Sequence, residues 1–244
     1  MCVLGSAAPG LGRPRPRLPS HEEGSGINLA GPMKRVLDLL ASAALLVLLI
    51  PVGAAVTLCI LVGDPGPVFF RQRRIGRDGR PFDLWKFRTM RPAANGAGPA
   101  ITHGTRDPRI SRVGHFLRML KLDELPQLFN VLKGDMSFVG PRPEAEKYVA
   151  LYDAEQRRVL DVRPGLTDMA VVGGHLHDAA LLEGQADPEK YYVEVVMPRK
   201  LRLNLYYVEH RSPGLDLRIL SKTLMLLLGL RRERPWKPST SFSG

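Results

Sequence analysis

Between Leu39 and Val62 the chain reads LLASAALLVLLIPVGAAVTLCILV, without a single Asp, Glu, Lys or Arg. That exceeds the roughly 18–20 apolar residues that suit a membrane segment. The stretch must therefore sit in lipid or be wrapped by protein as a core helix, and its length favours lipid. Pro51 interrupts it and Gly53 follows closely. Proline lacks an N–H and its ring clashes with the preceding turn, so a helix-break-helix with its break near Ile50 is expected. Basic residues flank both ends: Arg13, Arg15, Arg17, Lys34 and Arg35 before, and Arg71, Arg73, Arg74, Arg77 and Arg80 after. The positive-inside tendency puts both flanks on the cytoplasmic side. A re-entrant helical hairpin broken at Pro51 satisfies that pattern, and a simple span does not.

The 244 residues carry a net charge of +11, which suits an anionic partner: nucleic acid, an acidic membrane surface or a phosphorylated small molecule. Nucleic acid is disfavoured, because such a binder has no use for the uncharged run. Cys2 and Cys59 cannot form a disulfide framework, and Cys59 is expected to pack as a small hydrophobe. The first 32 residues are rich in Pro, Gly, Ser and Arg and lack the apolar core of a secretory signal, so they read as a disordered arm.

Downstream, 68–74 and 81–90 read as strands around Asp78-Gly79, a hairpin signal. Residues 91–108 form a Gly/Pro/Ala-rich loop. Phe116, Leu117, Leu120, Leu125, Leu128, Phe129 and Leu132 recur at helical spacing, and 144–161 and 189–208 read as helices, the second broken at Pro198. The stretch LDLRILSKTLMLLLGLRRER near the end reads as an apolar helix too short to span, lying against the domain or in the headgroup layer.

The chemistry concentrates in KLDELPQLFNVLKGDMSFVGPRP, residues 121–143. Pro126 is tolerated only in the first turn of a helix, so a helix over 126–132 begins near Asp123 or Glu124. A carboxylate there would cap free N–H groups and stay ionised at the positive helix end. Two adjacent carboxylates also repel and raise one another's pKa unless a cation stands between them. Mg²⁺, which takes one or two carboxylates together with substrate phosphates, would resolve that conflict. Lys86, Arg88, Arg118 and Arg142 supply constrained positive charge around the pair. An acidic pair set among cations suits phosphoryl transfer, where positioning and charge neutralisation do most of the catalysis.

From about Met33 to Leu230 the chain resembles the bacterial sugar transferases, the monotopic phosphoglycosyl transferases. The resemblance is carried by Lys34, Arg35 and Asp38, the proline-broken apolar run, WKFRTM, LDELPQL, GDMSFVGPRP, RPGLT and YYVEHRSPGLDLRIL. It implies transfer of a sugar 1-phosphate from a UDP-sugar to undecaprenyl phosphate, with release of UMP, as a first membrane step of glycan assembly. Asp123 matches the nucleophile and Glu124 the acidic partner that helps hold Mg²⁺. Lys86, Arg88, Arg118 and Arg142 match the phosphate-binding positions. Arg163, Pro164, Gly165 and Asp168 fall at the nucleotide end of the donor site.

The fold expected from the resemblance and the patterning is α+β and mainly helical. It comprises a disordered basic arm (1–32), a re-entrant membrane hairpin (33–63), a phosphoglycosyl transferase catalytic domain on the membrane surface (64–230) and a basic disordered tail (231–244). The partners implied are a UDP-sugar donor, undecaprenyl phosphate and membrane lipids, with no nucleic acid and with a homodimer left open. The place is the cytoplasmic face of the inner membrane. The chain departs from the usual family pattern at Asp168 and Met169, in RPGLTDMAVV, and at Asn204. These departures bear on donor specificity, and they motivate an alternative: a catalytically silent scaffold or anionic-lipid-binding protein on the same fold.

Overall fold

The uncharged run folds as two helices, α1 (Ala30–Leu48) and α2 (Ile50–Gly63). Pro51 lies in the first turn of α2, where its missing N–H leaves no bond unmade. The computed structural model describes residues 30–91, 107–173 and 182–230. The bulk of the expected arm, most of the loop at 91–108 and the tail at 231–244 lie outside these residues; residues 30–32, counted above with the arm, already belong to α1. The break falls where the proline predicts, but the helices diverge at a bend of 58° and form an elbow in place of a tight hairpin. No single described helix is long and apolar enough to cross a membrane.

Both ends of the elbow are fixed to one domain. At the start of α1, Lys34 Nζ donates to Asp216 Oδ2 (2.6 Å), Tyr207 Oη (2.8 Å) and the Val139 carbonyl (2.9 Å). Arg35 donates to the carbonyls of Val131 and Leu132, and Asp38 Oδ1 accepts from the Phe138 N–H. At the other end, Val56 and Ile60 of α2 are buried against Phe87 and Leu117. Cys59, expected to pack as a small hydrophobe, is on the uncovered side of α2: apolar pattern alone does not say which side of a helix the protein covers.

Strands β1 (Phe69–Ile75) and β2 (Pro81–Phe87) pair antiparallel, from Phe69 opposite Phe87 to Ile75 opposite Pro81. Asp78 (φ 58°) and Gly79 (φ 70°) make the turn between them. Helix α3 (Arg112–Met119), a 3₁₀ turn (Leu122–Glu124) and α4 (Gln127–Lys133) follow. Next come β3 (Ser137–Val139), the short α5 (Glu146–Val149), a 3₁₀ segment (Gln156–Asp161), β4 (Gly165–Thr167) and a 3₁₀ segment (Met169–Gly173). Strands β3 and β4 pair in parallel, and Gly165 lies so close to Gly140 that a Cβ there would fall 2.2 Å from its nitrogen.

Two helix expectations change. The segment 144–161 is not one helix: α5 stops, and Asp153 and Gln156 cap each other's N–H before the 3₁₀ segment begins. Conversely, Pro198 breaks nothing. After α6 (Pro188–Tyr191) a π-helical stretch (Tyr192–Val196) leads straight into α7 (Met197–His210), with Pro198 in its first turn. The wider π turn absorbs the ring and the missing N–H. Helix α7 divides the core, with Leu201 and Leu205 packing with Tyr148, Tyr152 and Tyr192, and Leu203 and Tyr207 packing with Val139, Met169 and Ile219. The apolar helix near the end is α8 (Pro213–Leu227), which does lie against the domain through Ile219 and a bond between the Thr223 and Thr167 hydroxyls (2.8 Å).

Candidate active site

The site is assembled where α3, the 3₁₀ turn and β2 converge. Helix α3 starts at Ser111, whose hydroxyl accepts from Gly114 N–H at 2.9 Å. A Cβ on Gly114 would lie 2.0 Å from the Thr89 carbonyl oxygen, so only glycine lets α3 press this closely on the chain leaving β2. That approach puts Arg118 Nε within 2.9 Å of Thr89 Oγ1. Lys121 then takes a left-handed conformation (φ 57°), ends the α3 segment and turns the chain into Leu122–Glu124. The two carboxylates are carried inward by this turn, Asp123 at 6% and Glu124 at 8% exposure.

Their neighbours are unequally shared. Glu124 Oε1 accepts from Arg142 Nη2 at 2.6 Å, with Lys86 Nζ at 3.6 Å and Lys121 Nζ at 4.0 Å. Asp123 Oδ1 is buried and has no hydrogen-bond partner. Nor does Asp123 cap α4, whose cap residue is Pro126 with no side-chain hydrogen bond. The capping role expected from sequence is therefore overturned, because two residues and a turn of 3₁₀ helix separate the carboxylate from the N–H groups of α4.

Electrostatics drives the pair apart. Burial and the adjacent Glu124 charge push the Asp123 carboxyl up, and Lys86, Lys121 and Arg118 do not fully offset them. Burial presses on Glu124 in the same way, but Arg142, Lys121 and Lys86 outweigh it and hold that carboxyl well below its ordinary range. Burial also lowers Lys86 to about 8, against the pull of Glu124. A settled ion pair thus stands beside a poorly solvated carboxylate that has an oxygen to spare. Perturbed, partly unsatisfied carboxylates are typical of reactive centres, and a dry carboxylate is the better nucleophile.

Among the described residues no group of three or more His, Cys, Asp and Glu could hold a metal ion. Mg²⁺ needs only one or two carboxylates when phosphate and water complete its shell, and the buried, incompletely paired Asp123 carboxylate beside Glu124 fits that demand.

Of the residues singled out from sequence, the structure brings Lys86, Arg118, Asp123, Glu124 and Arg142 together. Others are engaged elsewhere. Arg88 donates to the carbonyls of Asp64 and Pro65 in the turn after α2. Arg163 Nε donates to the Gly134 carbonyl (3.0 Å), and the Pro164 carbonyl accepts from Ser137 N–H, so this segment braces the strand that leads to Arg142. Asp168 is buried and accepts from Ala170 N–H, while Met169 packs in the core and Asn204 is buried in α7. Sequence reasoning missed Lys121, Gln127 and Asn130. Asn130 is 1% exposed, accepts from Trp85 N–H and donates to the Asp83 carbonyl, which pins α4 to β2. A buried amide among apolar residues at helical spacing was the available signal.

The family model described as bacterial sugar transferase matches residues 29–229. The chain belongs to that family. It is 37% identical over 205 residues to the UDP-glucose:undecaprenyl-phosphate glucose-1-phosphate transferase of Escherichia coli (strain K12), covering 82% of this chain and 40% of the relative. With the enzyme of that name from Caulobacter vibrioides it shares 39% identity over 199 residues, 80% of this chain and 69% of the relative. An Aeromonas hydrophila relative, a UDP-N-acetylgalactosamine-undecaprenyl-phosphate N-acetylgalactosaminephosphotransferase, is 37% identical over 218 residues, 85% of this chain and 47% of the relative. The chain thus spans less than half of two of these three sugar transferases.

Proposed function

We propose that this chain transfers a sugar 1-phosphate from a UDP-sugar to undecaprenyl phosphate through a covalent intermediate on Asp123. The observation that carries the reading is the asymmetry of the acidic pair. Glu124 is neutralised by Arg142, Lys86 and Lys121, while Asp123 keeps a buried, unpaired oxygen. In the first step that oxygen attacks the sugar-bearing phosphorus of the donor. An acyl phosphate bond forms, the phosphoanhydride bond breaks and UMP leaves. In the second step the acceptor's phosphate oxygen attacks the same phosphorus, releases the Asp123 carboxylate and yields a lipid diphosphate sugar.

Arg118, Arg142 and Lys86 balance charge on the transferring group, a task for which arginine's planar fork suits phosphate oxygens. Asp123 and Glu124 would hold Mg²⁺, which when bound offsets charge on the donor diphosphate. The Asp168–Met169 turn would act on donor choice only indirectly, through the packing of β4.

The reading includes a membrane site. Large apolar side chains are exposed on several elements, including Leu40 and Val47 of α1, Leu58 of α2, Phe70 of β1, Phe116 of α3 and Leu224 of α8. Such extended apolar surface marks a membrane or protein contact. Because both ends of the elbow dock on one domain, both belong on one side of the bilayer. Arms of about 28 and 21 Å, bent by 58° with both ends at one surface, would reach about 12 Å deep, roughly two fifths of the hydrocarbon core. That depth supports a re-entrant insertion, and the basic residues at both flanks favour the cytoplasmic face.

Intact-protein mass spectrometry with donor alone tests the chemistry. A phosphosugar-sized adduct mapping to Asp123, with up to one equivalent of UMP, is expected. Release of UDP, or full turnover by a folded Asp123→Asn variant, would sink the mechanism.

A further inference from the structure

Among the described residues four buried side-chain atoms lack a hydrogen-bond partner: Arg74 Nε, Asp123 Oδ1, Gln127 Nε2 and Ser137 Oγ. One donor and one acceptor in that set belong to the same short run, LDELPQ. Gln127 is 2% exposed, and its Nε2 has been taken out of water with nothing to bond. An orphaned buried donor lowers stability, and a native protein that keeps one has a use for it.

The next turn of the helix supplies the contrast. Asn130 lies three residues on, hence on the same face of α4, and is as deeply buried. Its side chain is fully engaged, with Trp85 N–H at 3.1 Å, the Asp83 carbonyl at 2.8 Å and Asp135 Oδ2 at 3.2 Å. That face therefore looks onto β2. Gln127 begins α4 one turn earlier and three residues after Glu124, and β2 packs against both α4 and the 3₁₀ turn that carries the acidic pair, with Lys86 Nζ 3.6 Å from Glu124. The unpaired Nε2 donor therefore lies on the segment that joins the acidic pair to the helix packed on β2, and the side-chain donors that meet Glu124 are cations.

We propose that Gln127 is a substrate-contacting residue whose side-chain amide donates a hydrogen bond to a non-bridging oxygen of the phosphoryl group that Asp123 attacks. The inference rests on the phosphotransfer reading above. A neutral amide suits the task because it fixes an oxygen in place without adding charge to a site already crowded with Lys86, Lys121, Arg118 and Arg142. Its direction is set by the packing of α4 on β2, so little ordering remains when the phosphate arrives.

Gln127→Met separates this from a structural role, since methionine matches the size and removes the polar atoms. If the amide were part of the fold's bonding, the melting temperature would fall. An orphaned amide predicts an unchanged or higher melting temperature, together with a fall of about 10–100-fold in the rate of adduct formation from UDP-glucose or UDP-N-acetylgalactosamine. Gln127→Glu, of the same shape but without the donor, should fall at least as far. Labelling of Gln127→Met at the wild-type rate would overturn the proposal, as would a melting temperature lower by several degrees with an unchanged rate per folded molecule. A folded wild-type protein that forms no adduct with either donor would defeat the phosphotransfer reading itself, and this inference with it.

Discussion

Two of the charge clusters drawn in from the surface among the described residues are finished differently. In the anchor between α1, α7 and α8, Lys34 bonds Asp216, Tyr207 and the Val139 carbonyl, and Tyr207 Oη donates to Asp216 Oδ1 at 2.7 Å. Charge balances one for one, and burial together with Asp216 pushes the Tyr207 phenol up, so it stays a neutral donor. In the site, three cations crowd one carboxylate while the carboxylate next to it keeps a bare oxygen. A cluster that satisfies itself stabilises the fold. One that leaves an atom unsatisfied trades stability for something that binds there.

The largest contrast comes from removing one carboxylate from each cluster. Asp123→Asn should abolish turnover, by at least about 10³-fold, with little change in melting temperature. Asp216→Ala strands Lys34 and should destabilise by about 1–3 kcal/mol, while each molecule that remains folded keeps its rate. Thermal melts read alongside UMP release would break the comparison if the two variants failed in the same way.

Within the site, the neighbours should oppose each other in pH. Glu124 has a lowered pKa in the folded state, so its contribution is present above the ordinary Glu range and is lost as pH falls through the folded value. Asp123 has a raised one, so its contribution is present below the ordinary Asp range and is lost as pH rises through the folded value. At pH 7, Glu124→Gln should therefore lower stability and Asp123→Asn should preserve or raise it. Both differences should shrink in acid. Denaturant midpoints at pH 7 and pH 3 give the signs, and equal signs would contradict the unequal sharing of cations.

A smaller effect should appear on the alkaline side. Lys86, which burial lowers to about 8 with Arg142 and Arg74 and against Glu124 and Asp123, loses its charge as pH rises through that value. The kcat/KM for donor should then decline above about pH 8, and Lys86→Arg should move that limb upward. A limb left in place by the substitution would belong to another group. Smallest of all, the exposed pair Arg158–Glu209 (2.9 Å) lies outside both clusters, and Arg158→Ala should change stability by less than about 1 kcal/mol. This control shows that burial, not ion pairing as such, separates the two regions.

Much of this could be read from the residues, because it rests on local physics. The uncharged run and Pro51 specify two helices and their break, and Asp78-Gly79 specifies the hairpin turn, since each depends on backbone sterics and patterning within a few residues. The candidate residues were nameable too, since the acidic pair stands in one dense stretch with Arg142 and Lys86 stands in WKFRTM. Pro198 misled because a π turn can absorb a proline, and that depends on how Tyr192 and Val196 pack.

What the sequence by itself determined is the inventory: a broken apolar run, a hairpin, an acidic pair and enough arginine and lysine to face phosphate. Which cation meets which carboxylate was decided only by tertiary structure. Lys86, Glu124 and Arg142 lie on β2, on a 3₁₀ turn and beyond β3, and they meet because Gly114 lets α3 close on Thr89 and because Gly140 and Gly165 let β3 approach β4. Charge interactions depend on distance and burial rather than on order along the chain. Two carboxylates adjacent in sequence could therefore end with pKa values shifted in opposite directions.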